Sequence, residues 1–242
     1  NFLDINSAIS AAGSVDAQAS ESIYIYEAAG DISVDVIVSD NGDVHLIATS
    51  LILDNDNTDK VNIIGRSITL TSLTGSIGME DNFLDINSAV SAAGAVDAQA
   101  AESIYISEVE GDLNVGVIVS NNGDVHLISA GSILDSDNDV QANIVGRSII
   151  LTSHTGSIGM EYNFLDINSA VSATGSINAQ AAGSIYIYEV AGNLSVGDIV
   201  SDRGDLHLIS AGSILDNDNT DQANMIGRSI TLTSLTGSIG ME

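Results

Sequence analysis

The sequence predicts an all-β fold, a parallel β-helix (β-solenoid), and three observations carry the prediction. The first is an internal repeat: Asn1-Phe2-Leu3-Asp4-Ile5-Asn6-Ser7-Ala8 returns at 82–89 and again at 163–170. Three near-identical copies, 1–81, 82–162 and 163–242, therefore fill the 242 residues, and a fixed period of this kind is the mark of a repeat architecture. The second is a set of short runs within each copy in which apolar and polar residues alternate, the period of a half-buried strand. The third is the turn material between the runs, rich in Gly, Asn and Asp, which supplies the positive φ that tight corners need.

Taken in order, the runs of the first copy open at Phe2-Leu3-Asp4-Ile5, Ser22-Ile23-Tyr24-Ile25-Tyr26, Asp43-Val44-His45-Leu46 and Ser67-Ile68-Thr69-Leu70-Thr71. The openings lie about 20 residues apart, with one spacing longer and one shorter. Second runs lie between them, as in Ile32-Ser33-Val34-Asp35-Val36-Ile37-Val38 and Leu51-Ile52-Leu53. Corners fall at Gly30-Asp31, Asp40-Asn41-Gly42, Gly65-Arg66 and Thr74-Gly75-Ser76. A coil of this length is one rung, and its inward Ile, Leu and Val stack on those of the next rung roughly 4.8 Å away. The reading is about four rungs per copy, hence about 12 rungs and a rod about 55–60 Å long. The competing architectures are an array of β-sandwiches and a solenoid with three rungs of about 27 residues per copy. Ala8–Ala19 is the best helical alternative within the chain, while the neighbouring Ile23, Tyr24 and Ile25 alternate at strand spacing.

Composition excludes several functions. The chain has 5 Lys+Arg against 33 Asp+Glu, a formal net charge of -28. Binding nucleic acid, or holding to an anionic membrane by charge, needs a basic face. Charged residues are nevertheless only 16% and apolar residues 44%, which suits a folded core rather than an acidic disordered tail. The absence of Cys rules out disulfides and thiolate metal sites. No run approaches the roughly 20 apolar residues of a membrane span. The chain begins Asn1-Phe2-Leu3, without an initiator Met or a signal peptide, and reads as a piece of a longer array or a processed product.

At Gly123-Asp124-Val125-His126-Leu127-Ile128-Ser129-Ala130-Gly131-Ser132-Ile133-Leu134-Asp135 the chain resembles the coil motif of filamentous-haemagglutinin-like proteins. So do Gly146-Arg147-Ser148-Ile149-Ile150-Leu151-Thr152-Ser153 and the following Gly156-Ser157-Ile158-Gly159. The resemblance extends over all three copies in rhythm and composition. It implies a right-handed parallel β-helix with coils near 20 residues, an extracellular or cell-surface location in a bacterium, and a structural or adhesive role. It brings no catalytic residues with it.

Candidate chemistry concentrates in one acidic loop per copy: Asp54-Asn55-Asp56-Asn57-Thr58-Asp59, Asp135-Ser136-Asp137-Asn138-Asp139 and Asp216-Asn217-Asp218-Asn219-Thr220-Asp221. Carboxylates and amides at alternate positions are hard oxygen ligands for Ca²⁺. Asp54, Asp56, Asp59, Asp135, Asp137, Asp139, Asp216, Asp218 and Asp221 are the candidate ligands. The same residues also make good turns. The loop departs from an EF-hand, which needs Gly at its sixth position and Glu at its twelfth, where this chain has Asp59 and Gly65.

A second acidic corner, Ser39–Asp43, recurs with Arg203 in the third copy, and reads as a plain Asn-Gly-type turn. Arg66, Arg147 and Arg228 recur once per copy as ion-pair partners for nearby carboxylates. His45, His126 and His207 occupy one position four rungs apart, too far to share a metal. Tyr24, Tyr26, Tyr105, Tyr186 and Tyr188 point outward if the adjacent Ile residues point inward, and form a candidate aromatic patch for a glycan.

The three copies are nearly interchangeable, whereas a catalytic site is a unique feature of its scaffold, so an enzyme is not expected. The sequence-level reading is a structural rod segment of an extracellular bacterial fibre, with copies of itself or adjoining repeats as partners. The alternative is an adhesin module that recognises a surface glycan through one face.

Overall fold

A computed structural model describes all residues except 8, 10–12, 59, 92–93, 173, 218–221 and 241–242. Among the described residues every regular element is a strand. The strands form two 12-stranded sheets. In the first copy Leu3–Ile5, Ile23–Glu27, Val44–Ala48 and Ile68–Ser72 stack in parallel in one sheet, through the pairs Leu3↔Ile25, Ile23↔Val44 and Val44↔Ile68. Val15–Ala19 and Ile32–Ser39 pair in the other. The chain thus winds as a parallel β-solenoid of about 10 turns, each turn giving one strand to each sheet. The part of the Ala8–Ala19 alternative that is described from Val15 onward is a strand; residues 8 and 10–12 lie outside the described residues.

Alternation decides which side chains face in. Ile23 and Ile25 are buried while Tyr24 between them is 41% exposed. The inward Ile, Leu and Val of both sheets merge into a single apolar cluster running from Val15 to Ile214. Because that one core lies between them, the outer faces of the two sheets point in opposite directions. Fully burying one such side chain contributes about 1.5–3 kcal/mol.

The turn count departs from four rungs per copy. Leu3–Ile5 belongs to the first sheet, its equivalent Leu84–Asn87 to the second, and Leu165–Asn168 to the first again. From Leu3–Ile5 to Leu165–Asn168 the first sheet takes seven steps, through Ile23–Glu27, Val44–Ala48, Ile68–Ser72, Val96–Ala100, Leu113–Ser120, Ile144–Val145 and on to Leu165–Asn168 itself. Two copies therefore make seven turns, and one copy makes three and a half. The short interval between Ser67 and Phe83, which looks like a clipped coil in the sequence, is a half turn: Ile68 joins one sheet and Leu84 the other. At the usual spacing about 10 turns give a rod of about 48 Å, shorter than the sequence-based length.

Regularity breaks in the same place in each copy. Strand Ile32–Ser39 carries an extra residue between the pairs Val15↔Val34 and Ala17↔Ile37, a β-bulge that leaves Val36 42% exposed. Its first half pairs with Ile52–Asp54 and its second half with Ile63–Ile64. The chain between those two short strands is the acidic loop, so the loop is an excursion from the middle of a rung. On the next rung Ile77 and Leu84 are separated by a tight bend, closed by Met79 N–H donating to the Asn82 carbonyl (2.9 Å) and Asn82 N–H donating back (3.1 Å). Loop and bend are thus stacked neighbours on one outer face.

Candidate functional site

The acidic loop is rooted by a polar network that recurs from copy to copy. Asp54 is 5% exposed and Asn62 is 2% exposed. Asp54 Oδ1 accepts from Asn62 Nδ2 (2.8 Å) and from the Asp56 N–H (3.0 Å). Asn62 Oδ1 accepts from the Asp85 N–H of the next rung (3.0 Å), and Asn82 Nδ2 donates to the Asp54 carbonyl (3.2 Å). The second copy repeats this with Asn143 on Asp135 (2.9 Å), the Asp166 N–H on Asn143 (3.0 Å) and Asn163 on the Asp135 carbonyl (3.1 Å). Asn224 reaches Asp216 in the third (3.2 Å). At the loop tip Asn57 and Asn138 have φ of 49° and 60°, a left-handed turn that Asn tolerates better than most residues. Asn143→Ala is expected to cost about 1–3 kcal/mol, because it strips a buried donor and a buried acceptor from their partners at once. Urea unfolding of the variant checks this, and an unchanged midpoint would remove the root network from the account.

This geometry sorts the nine aspartates read from the sequence. Asp54 and Asp135 face the loop root and are already engaged there. Asp56, Asp137 and Asp139 are exposed and accept hydrogen bonds from the loop backbone, as Asp137 does from the Asp139 N–H (3.1 Å). Asp216 stands at its loop root. Asp59, Asp218 and Asp221 lie outside the described residues. Among the described residues no group of three carboxylates or histidines converges on a metal position.

The half turn brings in a residue that the loop sequence does not show. Asp85 follows the bend and is 8% exposed beneath the loop. Asn57, Thr58, Asp81, Asn82, Asp85 and Ser107 border a cleft of about 190 Å³, with Phe83 at its side. At the second junction the equivalent Asp166 is 3% exposed. Burial, with Asp135, Asp139 and Asp137 nearby, pushes its carboxyl up to about 7.

An aromatic group built across successive rungs recurs in each copy, and at the first junction it stands beside the cleft. Phe83 meets Tyr105 edge-on at 5.7 Å and His126 at 4.7 Å. Phe164 meets Tyr186 at 5.6 Å and His207 at 4.9 Å. Tyr24 stacks flat on His45 at 4.5 Å, with Phe2 edge-on to Tyr24 at 5.6 Å. Burial in this group pushes the His126 imidazole down. Tyr24, Tyr26, Tyr186 and Tyr188 belong to one sheet, whereas Tyr105 belongs to the other. The five tyrosines are therefore divided between opposite faces. His126 is likewise on the face away from His45 and His207, three and a half turns from each rather than four rungs along one face.

Each recurrent arginine clasps a carboxylate of the preceding rung with two hydrogen bonds: Arg66 on Asp43 (3.0 and 3.1 Å), Arg147 on Asp124 (both 3.0 Å) and Arg228 on Asp205 (2.9 and 2.7 Å). Arg66 holds the Asp43 carboxyl below the usual carboxylate range, and Arg228 does the same for Asp205. These pairs are exposed and contribute little individually. The corner Ser39–Asp43 is a tight turn in which Ser39 Oγ accepts from the Gly42 N–H (2.9 Å).

One set of residues escaped the sequence reading. Glu27, Glu108 and Glu189 point into the core at 0%, 1% and 0% exposure. Each accepts hydrogen bonds from a serine one turn earlier: Ser7 N–H (2.7 Å) on Glu27, Ser88 N–H (2.9 Å) and hydroxyl (2.5 Å) on Glu108, Ser169 N–H (3.0 Å) and hydroxyl (2.5 Å) on Glu189. The signal was present in Ile23-Tyr24-Ile25-Tyr26-Glu27, where alternation assigns the glutamate to the inward side.

These features define the class of the molecule as a parallel β-solenoid with an acidic loop, a buried aspartate and an aromatic group at each described repeat junction. Comparison with family models, with curated proteins and with solved structures finds no match to this chain. No helix of the chain is long and apolar enough to cross a membrane, among the described residues.

Proposed function

We propose that the chain is a structural rod segment of an extracellular bacterial fibre, in the manner of the filamentous-haemagglutinin-like proteins it resembles. The observation that carries this reading is the uninterrupted pair of parallel ladders, which pass through all three copies around one apolar core. Adjoining repeats, or copies of the chain, are the partners of such a rod. The core and the ladders resist extension along the axis, while the net charge of -28 keeps neighbouring rods apart in solution. No catalytic role is part of the proposal.

Electron microscopy of the material as isolated from cells tests it. Long thin filaments, whose length grows by about 17 Å per copy at the usual rung spacing, are expected. Discrete short rods of about 48 Å would overturn the fibre reading.

A second reading, an adhesive module for a surface glycan, draws support from the outward aromatic groups. Under that reading Tyr24→Ala with Tyr186→Ala, which share one face, weakens adhesion and leaves filaments unchanged.

A further inference from the structure

We propose that each junction between copies is a divalent-cation site, suited to Ca²⁺, formed between the acidic loop of one rung and the aspartate that the half turn places beneath it. At the first junction the ligands come from Asn57, Thr58, Asp81, Asn82, Asp85 and Ser107. At the second they come from Asn138, Asp139 and Asp166.

Two independent observations support the site. The first is the cleft of about 190 Å³ at the first junction, whose bordering polar residues all carry side-chain oxygens. Two carboxylates, two amides, two hydroxyls and bound waters are a hard oxygen set of the kind Ca²⁺ takes, with 6–8 ligands. Asn82 already spends its Nδ2 on the Asp54 carbonyl, which leaves Oδ1 as its acceptor. Asn57 lies at the left-handed tip of the loop, so the loop carries its amide over the cleft. The second observation is Asp166. It is 3% exposed, and among the described residues no donor reaches its carboxylate. Asn143 ties it to the loop root, its Oδ1 accepting from the Asp166 N–H and its Nδ2 donating to Asp135 Oδ1. A buried carboxylate that no donor reaches is costly, and a divalent ion removes that cost.

The proposed ligand set differs from the loop taken alone. Asp54 and Asp135 each spend Oδ1 on the loop root, and Asp54 Oδ2 is buried without a hydrogen-bond partner among the described residues; the remaining oxygens come from across the rungs. Two carboxylates with neutral oxygens are sufficient for a Ca²⁺ site of moderate affinity, because charge count tunes the dissociation constant. The two junctions lie on opposite faces, since Asp85 belongs to one sheet and Asp166 to the other.

Isothermal titration of the whole chain with CaCl₂, at near-physiological salt and pH 7.5, tests the proposal. The expected result is saturable binding of about two ions per chain. Asp85→Asn with Asp166→Asn is expected to weaken it on the order of tenfold or more. Asp40→Asn with Asp202→Asn removes the same charge from the other corner and is expected to leave binding intact. Asp81→Asn with Asp139→Asn, at exposed positions, repeats the test without disturbing a buried side chain. A thermal melt in EDTA separates folding from binding: Asp166→Asn is expected to melt no lower than the parent without Ca²⁺, and to gain less from adding it. Three outcomes overturn the site. One is the absence of saturable binding up to about 1 mM. Another is equal loss in the Asp40 and Asp202 control, which would mean diffuse counter-ion attraction. The third is loss only in Asp56→Asn with Asp137→Asn, which would return the ion to the loop itself.

Discussion

Between pH 8 and pH 5 the melting temperature is expected to rise. Burial pushes the Glu108 and Glu189 carboxyls up to about 7, against an ordinary value of 4.5. In the unfolded chain both titrate near the ordinary value, so at intermediate pH the folded state binds more protons. Their stabilising contribution is fully present below about 4.5 and is lost as pH rises through about 7. At about 1.4 kcal/mol per pKa unit the difference is about 3 kcal/mol for each glutamate. Asp166, also raised to about 7, acts in the same direction. Asp43 and Asp205 act in the opposite direction. Arg66 and Arg228 lower their carboxyls, so their contribution disappears as pH falls through those depressed values. The stability profile should therefore climb from pH 8 to about 5 and fall again in strong acid. Glu108→Gln with Glu189→Gln keeps an acceptor for each serine and removes the buried charge. That variant is expected to melt higher than the parent at pH 8, with a flatter profile. Circular dichroism melts in chelator across this range are the measurement, and a parent profile already flat would refute the account.

A larger local effect is expected from Gly78→Ala and Gly159→Ala. Both glycines have positive φ, 66° and 64°, and a Cβ on either would fall 2.2 Å from a backbone carbonyl oxygen, that of Tyr105 or Tyr186. The left-handed backbone alone costs roughly 1–2 kcal/mol. The overlap adds to it, because a carbonyl fixed in a ladder cannot move aside, for a total of about 3 kcal/mol or more. Gly240 is an internal control: its φ is 77°, and a Cβ there meets nothing within 4 Å. Gly240→Ala should register the backbone cost alone. Equal losses at all three positions would show that the close approach does not matter. The first two glycines start the bends that carry Phe83 and Phe164, so these variants should also disturb the aromatic groups, which near-ultraviolet circular dichroism reports.

Much of the fold was legible because inward and outward positions alternate along a strand. Ile23 and Ile25 against Tyr24 and Tyr26 told which way the side chains face, and the core agrees. The sheet to which a strand belongs was not legible. Both sheets carry the same alternation, so Ser67 to Phe83 reads as a short coil when it is a change of side. The acidic loop was visible as turn chemistry, and its candidate oxygens could be named. Asp85 and Asp166 could not be attached to it, since only the winding of the next turn puts them beneath it. Glu108 was overlooked for the converse reason: its position in the alternation was plain, but a carboxylate is rarely assigned to a core before its serine partner is seen.

The half-integer number of turns per copy makes copy number a matter of parity. Adding or removing one copy rotates everything downstream by half a revolution, so a feature that had faced one side comes to face the other. Adding or removing two restores every orientation and changes only length. An array that has to present a given face at its tip tolerates change in pairs, whereas one that only has to reach a certain distance tolerates any number. Length variants of the array, sorted into odd and even differences, would reveal which of these demands the rod obeys.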